Sequence, residues 1–292
     1  MILITTPTGQ IGQSVAEEVL HSGRPVRVVA RDPARLSTVI RERAEIVTGR
    51  HDDPAVLAKA AAGADRVFWL IPPDPRAESV FGHYRRFTRA LCEAIASQGI
   101  THVVAVSTVG RGTDSRAGYV SAALLMDEMI EATGVNYRAL AAPGFMENLL
   151  QQVVSIRDRG EFYSAIPGDH PQTPCATRDI AAAAAGLLLD DSWSGQDSVP
   201  LLGAEDLSNK DMARIMSEVL DRPVGFRQVS LDDLREGLLH SGTSPAFAEG
   251  MIDMTREYEQ IARNTPKRTP EFTTATTFRQ WCTEVLKPAV TN

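Results

Sequence analysis

Short apolar runs alternate with amphipathic stretches through the first half of the chain. Residues 2–4 are continuously apolar and stop at Thr5-Thr6-Pro7-Thr8-Gly9; Ile11, Val15 and Val19 then recur at helical spacing until Gly23. Residues 25–30 (Pro-Val-Arg-Val-Val-Ala) read as a second strand, and Asp32-Pro33 as an N-cap followed by proline at the first helical position. The rhythm repeats with a strand at 44–47, a helix at 54–62, and an apolar strand at 66–71 ended by Pro72-Pro73. A long helix at 78–98, a strand at 102–107, a helix at 124–133 and a strand at 137–141 follow, the last ended by Pro143-Gly144. Such alternation predicts right-handed βαβ crossovers and a parallel sheet covered on both faces. The expected fold class is therefore α/β, a Rossmann-type doubly wound parallel sheet.

Beyond about residue 150 the rhythm changes. Residues 160–174 are rich in Gly, Pro and aromatics and read as an irregular crossing to a second lobe. Asp179 is the expected cap of an Ala-rich helix at 180–189. Ser208 with Asp211, and Ser230 with Asp233, have the spacing of capping boxes with Asp in place of Glu. Further helices are expected at 246–261 and 277–285. With 292 residues the chain exceeds the size at which one core usually stops growing. The expectation is a dinucleotide-binding lobe of residues 1–150 plus 180–202, and a smaller, mostly helical substrate-binding lobe of 151–179 plus 203–292.

Composition narrows the function classes. A net charge of -7 argues against a nucleic-acid surface, which needs clustered excess Lys and Arg. Cys92, Cys175 and Cys282 lie far apart and match no metal spacing, which suits reduced thiols. The histidines show no zinc spacing either, and Ser107 lacks a Gly-x-Ser-x-Gly elbow. No apolar run has the length of a membrane span, and Met1-Ile-Leu-Ile-Thr reads as a strand and not as a signal peptide. No metal is expected, and the cytoplasm is the expected compartment.

The chemistry concentrates in the first βα turn, Thr6-Pro7-Thr8-Gly9-Gln10-Ile11-Gly12. A turn between a strand and a helix offers backbone N–H groups and the positive helix end to a pyrophosphate, and glycines there permit close approach. Thr6 occupies the place of the usual first glycine. At the end of the second strand an acidic residue would bond a ribose 2′-OH, whereas an arginine accommodates a 2′-phosphate. Arg31 stands there, and Asp32 has a duty as N-cap, so NADP(H) is favoured over NAD(H). The remaining strand ends, Leu70-Ile71-Pro72, Ser107-Thr108 and Pro143-Gly144-Phe145, either line the ligand crevice or merely punctuate the strands.

Together, Thr8-Gly9-x-x-Gly12, Val26-Arg27-Val28-Val29-Ala30-Arg31-Asp32-Pro33 and Pro143-Gly144-Phe145-Met146-Glu147-Asn148-Leu149 resemble the NmrA-like group. These are atypical members of the short-chain dehydrogenase/reductase superfamily. Leu201-Leu202-Gly203, Val219-Leu220-Asp221-Arg222-Pro223-Val224 and Thr277-Phe278-Arg279-Gln280-Trp281 extend the resemblance along most of the chain. It implies a Rossmann lobe that binds NADP(H) beneath a small C-terminal lobe. Carried over, Thr8, Gly9, Gln10 and Ile11 hold the pyrophosphate, Gly12 belongs to the same cofactor-binding turn, and Arg31 holds the 2′-phosphate. Asp52 lies near the adenine, and Leu70, Ile71, Pro72, Ser107 and Thr108 flank the adenine-side ribose and the nicotinamide. Pro143, Gly144 and Phe145 close over the nicotinamide, with Asn148 beside the substrate.

The catalytic pattern departs from the superfamily. Classical members use Tyr-x-x-x-Lys, in which the lysine lowers the tyrosine pKa for proton exchange with a carbonyl. Tyr119 occupies the corresponding place, but four residues on stands Ala123. Tyr119 is thus either the catalytic acid or an aromatic lining the cleft. Three functions stay open: an NADPH-dependent reductase of a small carbonyl, quinone or enone; a non-catalytic NADP(H)-binding sensor that recruits a partner protein; and a tailoring enzyme using the fold for non-redox chemistry. Quinone-type acceptors need no strong protein acid, which suits the missing lysine.

Overall fold

The computed structural model describes residues 1–113 and 116–291. In chain order the first half runs β1 (Ile2–Ile4), α1 (Gln10–His21), β2 (Val26–Ala30), α2 (Thr38–Arg43), β3 (Glu45–Thr48), α3 (Pro54–Ala61) and β4 (Arg66–Trp69), then α4 (Val80–Gln98), β5 (His102–Thr108), α5 (Tyr119–Glu131) and β6 (Asn136–Ala142). The second half adds α6 (Val153–Arg159), β7 (Glu161–Ser164), α7 (Thr177–Leu189), β8 (Gln196–Pro200) and α8 (Asn209–Leu220). It continues with β9 (Gly225–Gln228), α9 (Leu231–His240), α10 (Pro245–Arg256) and α11 (Tyr258–Arg263), and a last helical segment runs from Phe278 to Thr291.

Seven strands form one sheet in the order β3-β2-β1-β4-β5-β6-β8, every pair parallel. The chain winds outward from β1 to β3 and then in the opposite direction from β4. The carboxyl ends of β1 and β4 therefore flank the switch point, where open α/β sheets leave a crevice. Side-chain alternation along the strands builds a core on each face. Ile2, Ile4, Val28, Phe68, Val104 and Leu140 pack against α1 and α7, whereas Leu3, Val29, Trp69, Ala105 and Tyr137 pack against α3, α4 and α5. Alanines 181, 184 and 185 are buried in α7, and their small side chains let it lie close on α1.

The later segments build a separate core from Met146, Ile156, Phe162, Met216, Phe278 and Trp281. It includes a feature the sequence pattern did not announce, a two-stranded parallel sheet of β7 and β9. Both strands are four residues long, too short for a periodic signal to stand out from a loop. Both Asp-type capping boxes form. Asp179 does not cap its helix: α7 begins at Thr177, and the carboxylate, already inside the first turn, accepts instead from Thr276 N (3.0 Å) and Oγ1 (2.8 Å). The helix expected at 246–261 is interrupted at Glu257, and α5 begins at Tyr119, earlier than its apolar spacing indicates.

Candidate active site

The turn after β1 is built around two threonines. Thr5 donates to Phe68 O (3.0 Å) and accepts from Leu70 N (3.1 Å), which fastens the end of β1 to the end of β4 at the switch point. Thr6 has φ +53°, a left-handed conformation that costs a β-branched residue about 1–2 kcal/mol, and its buried hydroxyl has no hydrogen-bond partner among the described residues. Gly9 then N-caps α1 without a side chain to occupy the first amides, whereas α3, α4, α8, α9 and α10 are capped by Asp53, Ser79, Ser208, Ser230 and Ser244. A Cβ on Gly12 would stand 2.3 Å from Thr6 O, so glycine is what lets the helix sit against the turn. Thr8 is half-buried, Gly9 and Gln10 are exposed, and Ile11 is buried beneath them. Free amides at the positive end of a helix form a receptor for a pyrophosphate.

Around β2 and β3 the geometry sorts the charges. Asp32 accepts from Ala34 N (3.0 Å) as the cap of the turn at residues 33–35. Arg31 beside it is exposed and has no hydrogen bond or ion pair among the described residues. Asp52, expected near the adenine, holds Arg50 through two bonds of 2.8 Å and Arg86 at 3.1 Å, so both its oxygens are engaged. Burial alone would raise its pKa, but the Arg50 and Arg86 contacts outweigh that and leave it lowered. His51, in edge contact with Trp69 and Phe87, is held neutral by burial, with a pKa of about 4. Its Nε2 donates to Leu70 O (3.2 Å), and His83 Nε2 donates to Pro72 O (2.9 Å). Two imidazoles thus pin Leu70, the buried Ile71 and Pro72 beside the crevice.

Beyond β5 the picture changes. Ser107 points into the protein and donates to Asp127 Oδ2 (2.6 Å), and the buried Tyr137 hydroxyl donates to Asp127 Oδ1 (2.6 Å). Desolvation raises the Asp127 pKa to about 6, against the lowering effect of those two bonds and of Arg111 at 3.6 Å. Asp127 lies about 12 Å along α5 from Tyr119, so this buried network is remote from the Tyr119 end of the helix. Thr108 stays half-buried at the rim. The Pro143-Gly144-Phe145 turn is half-open and is held by Cys175 N donating to Gly144 O (3.1 Å) and Met146 N donating to Cys175 O (3.0 Å). Asn148 is exposed beyond it. Glu147 accepts from Thr177 N (3.0 Å) and from Trp281 Nε1 (3.1 Å), which clamps α7 to the closing helix. That clamp gives a physical reason for the Glu and Trp in the two motifs.

Tyr119 sits at the first turn of α5, its ring 5.4 Å from Phe247 and 6.4 Å from Tyr84. Desolvation, then the charges of Tyr84 and Asp74, raise its hydroxyl pKa, and Ala123 offers no cation to lower it. Residue pairing that sequence reading missed explains the burial: Gly118 has φ +52°, and a Cβ there would lie 2.0 Å from Gly250 O. Helix α10 therefore rests directly on the start of α5. Beside it a cavity of about 300 Å³ is lined by Phe81, Arg116, Gly118, Asp253, Arg256 and Glu257. Among the described residues no cluster of His, Cys, Asp and Glu could hold a metal, and no helix is long and apolar enough to cross a membrane.

The family model of the NmrA-like family matches residues 1–281. The chain is 29% identical to a (4-alkanoyl-5-oxo-2,5-dihydrofuran-3-yl)methyl phosphate reductase of Streptomyces griseus subsp. griseus, an alignment covering 97% of each. It is 26% identical to an NAD(P)H azoreductase of Xenophilus azovorans over 87% of this chain and 86% of the relative. Its fold is similar to that of an NADPH-dependent quinone oxidoreductase of Escherichia coli solved with NADPH, with a TM-score of 0.77, 20% identity, and 100% of this chain and 99% of the other covered.

Proposed function

The chain belongs to the NmrA-like family, and from that premise we propose that it is an NADPH-dependent reductase of a small quinone, enone or carbonyl acceptor. The observation that carries the reading is the pairing of an uncapped, glycine-opened helix start with an unpaired arginine at the next strand end. Amides of residues 10 and 11 would take the pyrophosphate, with Thr8 and Gly9 at its edge, and Arg31 a 2′-phosphate. Bound NADPH supplies a hydride. The protein's own task is then to hold the acceptor over Thr108 and Phe145, under α10. An NAD(P)H azoreductase and a dihydrofuranyl methyl phosphate reductase stand among its relatives, which supports the reductase class.

Tyr119, with its raised pKa and no cation one turn on, serves this reading as a wall of the acceptor pocket. A quinone that has gained a hydride is a stabilised anion and takes its proton from solvent, so no tuned acid is needed. The two-lobe division at residues 150, 180 and 202, and a cytoplasmic location, belong to the same proposal. The test is oxidation of NADPH by a panel of benzoquinone, menadione and cyclohexenone, followed at the nicotinamide absorbance. Turnover with the quinones, fastest for NADPH, is the expected result. NADPH binding without any turnover would put the non-catalytic sensor first, a reading that the Ala123 position favours.

A further inference from the structure

Three guanidiniums gather where β2 and β3 end, and only one of them, Arg31, has a role in the cofactor site proposed above. The two strands pair in parallel up to Ala30 and Thr48, and Gly49 N then donates to Ala30 O (3.0 Å). Arg31 and Arg50 therefore leave neighbouring strand ends, whose backbones run about 4.8 Å apart. Gly49 keeps this joint tight: its φ is +150°, and a Cβ there would stand 2.7 Å from both methyl carbons of Val56. Both cations also reach the same ring. Burial is what chiefly lowers the His51 pKa, and the charges of Arg50 and Arg31 add to that, against Leu70 O and Asp52.

Asp52 settles how Arg50 stands. Its carboxylate takes Nε and Nη2 of Arg50, one on each oxygen (2.8 Å), and Arg86 Nε from α4 at 3.1 Å. The Asp52 side chain is 7% exposed, against 52% for Arg50, so the guanidinium is the part of this pair that faces outward. Two-point pairing fixes its plane and leaves Nη1 with no hydrogen-bond partner among the described residues. Two guanidiniums thus share one carboxylate, and Asp74 adds only the pull of its charge on Arg50. We propose that Arg50 is a second determinant of NADP(H) specificity: with Arg31 it grips the 2′-phosphate, from the β3 side, and Asp52 is the positioning residue that holds it there. A phosphate monoester is close to a dianion at neutral pH and presents three oxygens, a demand that two guanidiniums meet better than one. This role for Arg50 depends on the placement of the 2′-phosphate at Arg31.

The experiment is calorimetric titration of the full chain with adenosine 2′,5′-bisphosphate and with 5′-AMP, which differ only in the 2′-phosphate. Arg50→Ala should weaken the bisphosphate about tenfold and 5′-AMP by less than about twofold, with Arg50→Lys keeping part of the difference. Arg86→Ala takes the other guanidinium from the same carboxylate and should change the preference by less than about twofold, since solvent screens a charge that makes no contact. An equal loss from Arg86→Ala would show a general effect of charge and overturn the contact. Equal weakening of both nucleotides by Arg50→Ala overturns it too, because Arg50 would then face the adenosine or the 5′-phosphate. Arg31→Ala and Arg50→Ala should not be additive, because they share one phosphate, and losses that simply multiply overturn that sharing. Asp52→Asn should lower the preference in the parent and leave it unchanged in Arg50→Ala; an equal drop in both overturns its positioning role. A preference lost on Arg31→Ala but kept on Arg50→Ala sinks the role of Arg50 alone. A parent protein that binds the two nucleotides alike sinks the placement of the 2′-phosphate at Arg31, and the role of Arg50 with it.

Discussion

Helices α1 and α5 both start at a glycine that offers no side-chain cap, and the two glycines do opposite work. Gly9 has an extended backbone, φ -95°, and a Cβ there would meet Thr6 O at an ordinary 3.6 Å. Its helix start stays open to the crevice. Gly118 has φ +52° and would drive a Cβ to 2.0 Å from Gly250 O, so its helix start is closed by α10. The first glycine keeps a place for an anion; the second keeps a place for another backbone. An uncapped helix start is therefore ambiguous until one knows what lies over it.

Substitution matters most at the closed end. Gly118→Ala combines a left-handed backbone with a hard clash, and should destabilise the protein by about 3 kcal/mol, whereas Gly9→Ala should stay within about 0.5 kcal/mol. Urea denaturation midpoints compare the two, and equal losses would show that α10 is not seated on Gly118. At the open end, Arg31→Ala should weaken NADPH by about 1–3 kcal/mol and leave NADH unchanged. Titrations of both cofactors check it, and a loss common to both would place the 2′-phosphate elsewhere.

Smaller effects sharpen the contrast. If Tyr119 is a wall and not an acid, Tyr119→Phe should lower quinone turnover by less than about tenfold, under about 1.4 kcal/mol in the barrier. A general acid contributes roughly 10²–10⁴-fold, so a loss of that size with NADPH affinity intact would restore Tyr119 as a proton donor. Last, Thr6→Gly should stabilise the fold by about 1 kcal/mol, because it relieves the left-handed threonine and removes an unpaired buried hydroxyl at some cost in chain entropy. A melting temperature that falls instead would mean that the Thr6 side chain holds the turn in shape.

Much of the open end could be read from the chain. Apolar runs with helical spacing between them located the first βα turn, and Asp32 before Pro33 showed that Arg31 alone was free at the strand end. The closed end was less legible, since its defining contact joins Gly118 to Gly250 across a distance in sequence that no local pattern spans. Asp52 is placed beside the crevice in the chain order, but nothing local reveals that Arg50 and Arg86 occupy its oxygens. Glu147 illustrates the same limit: its motif stood out, yet its partners, Thr177 and Trp281, come from two distant helices. Local periodicity reports an element and its ends; it does not report what lands on them.

Gly9→Val decides whether the open start of α1 carries the dinucleotide. The backbone at residue 9 suits valine and its Cβ has room, so the fold should survive, with a melting temperature near that of the parent. The branched side chain would nonetheless stand where the pyrophosphate must approach. Fluorescence titration should then show NADPH and NADH both weakened at least about tenfold. Undiminished binding of either cofactor by the folded variant would contradict the placement of the dinucleotide at this turn.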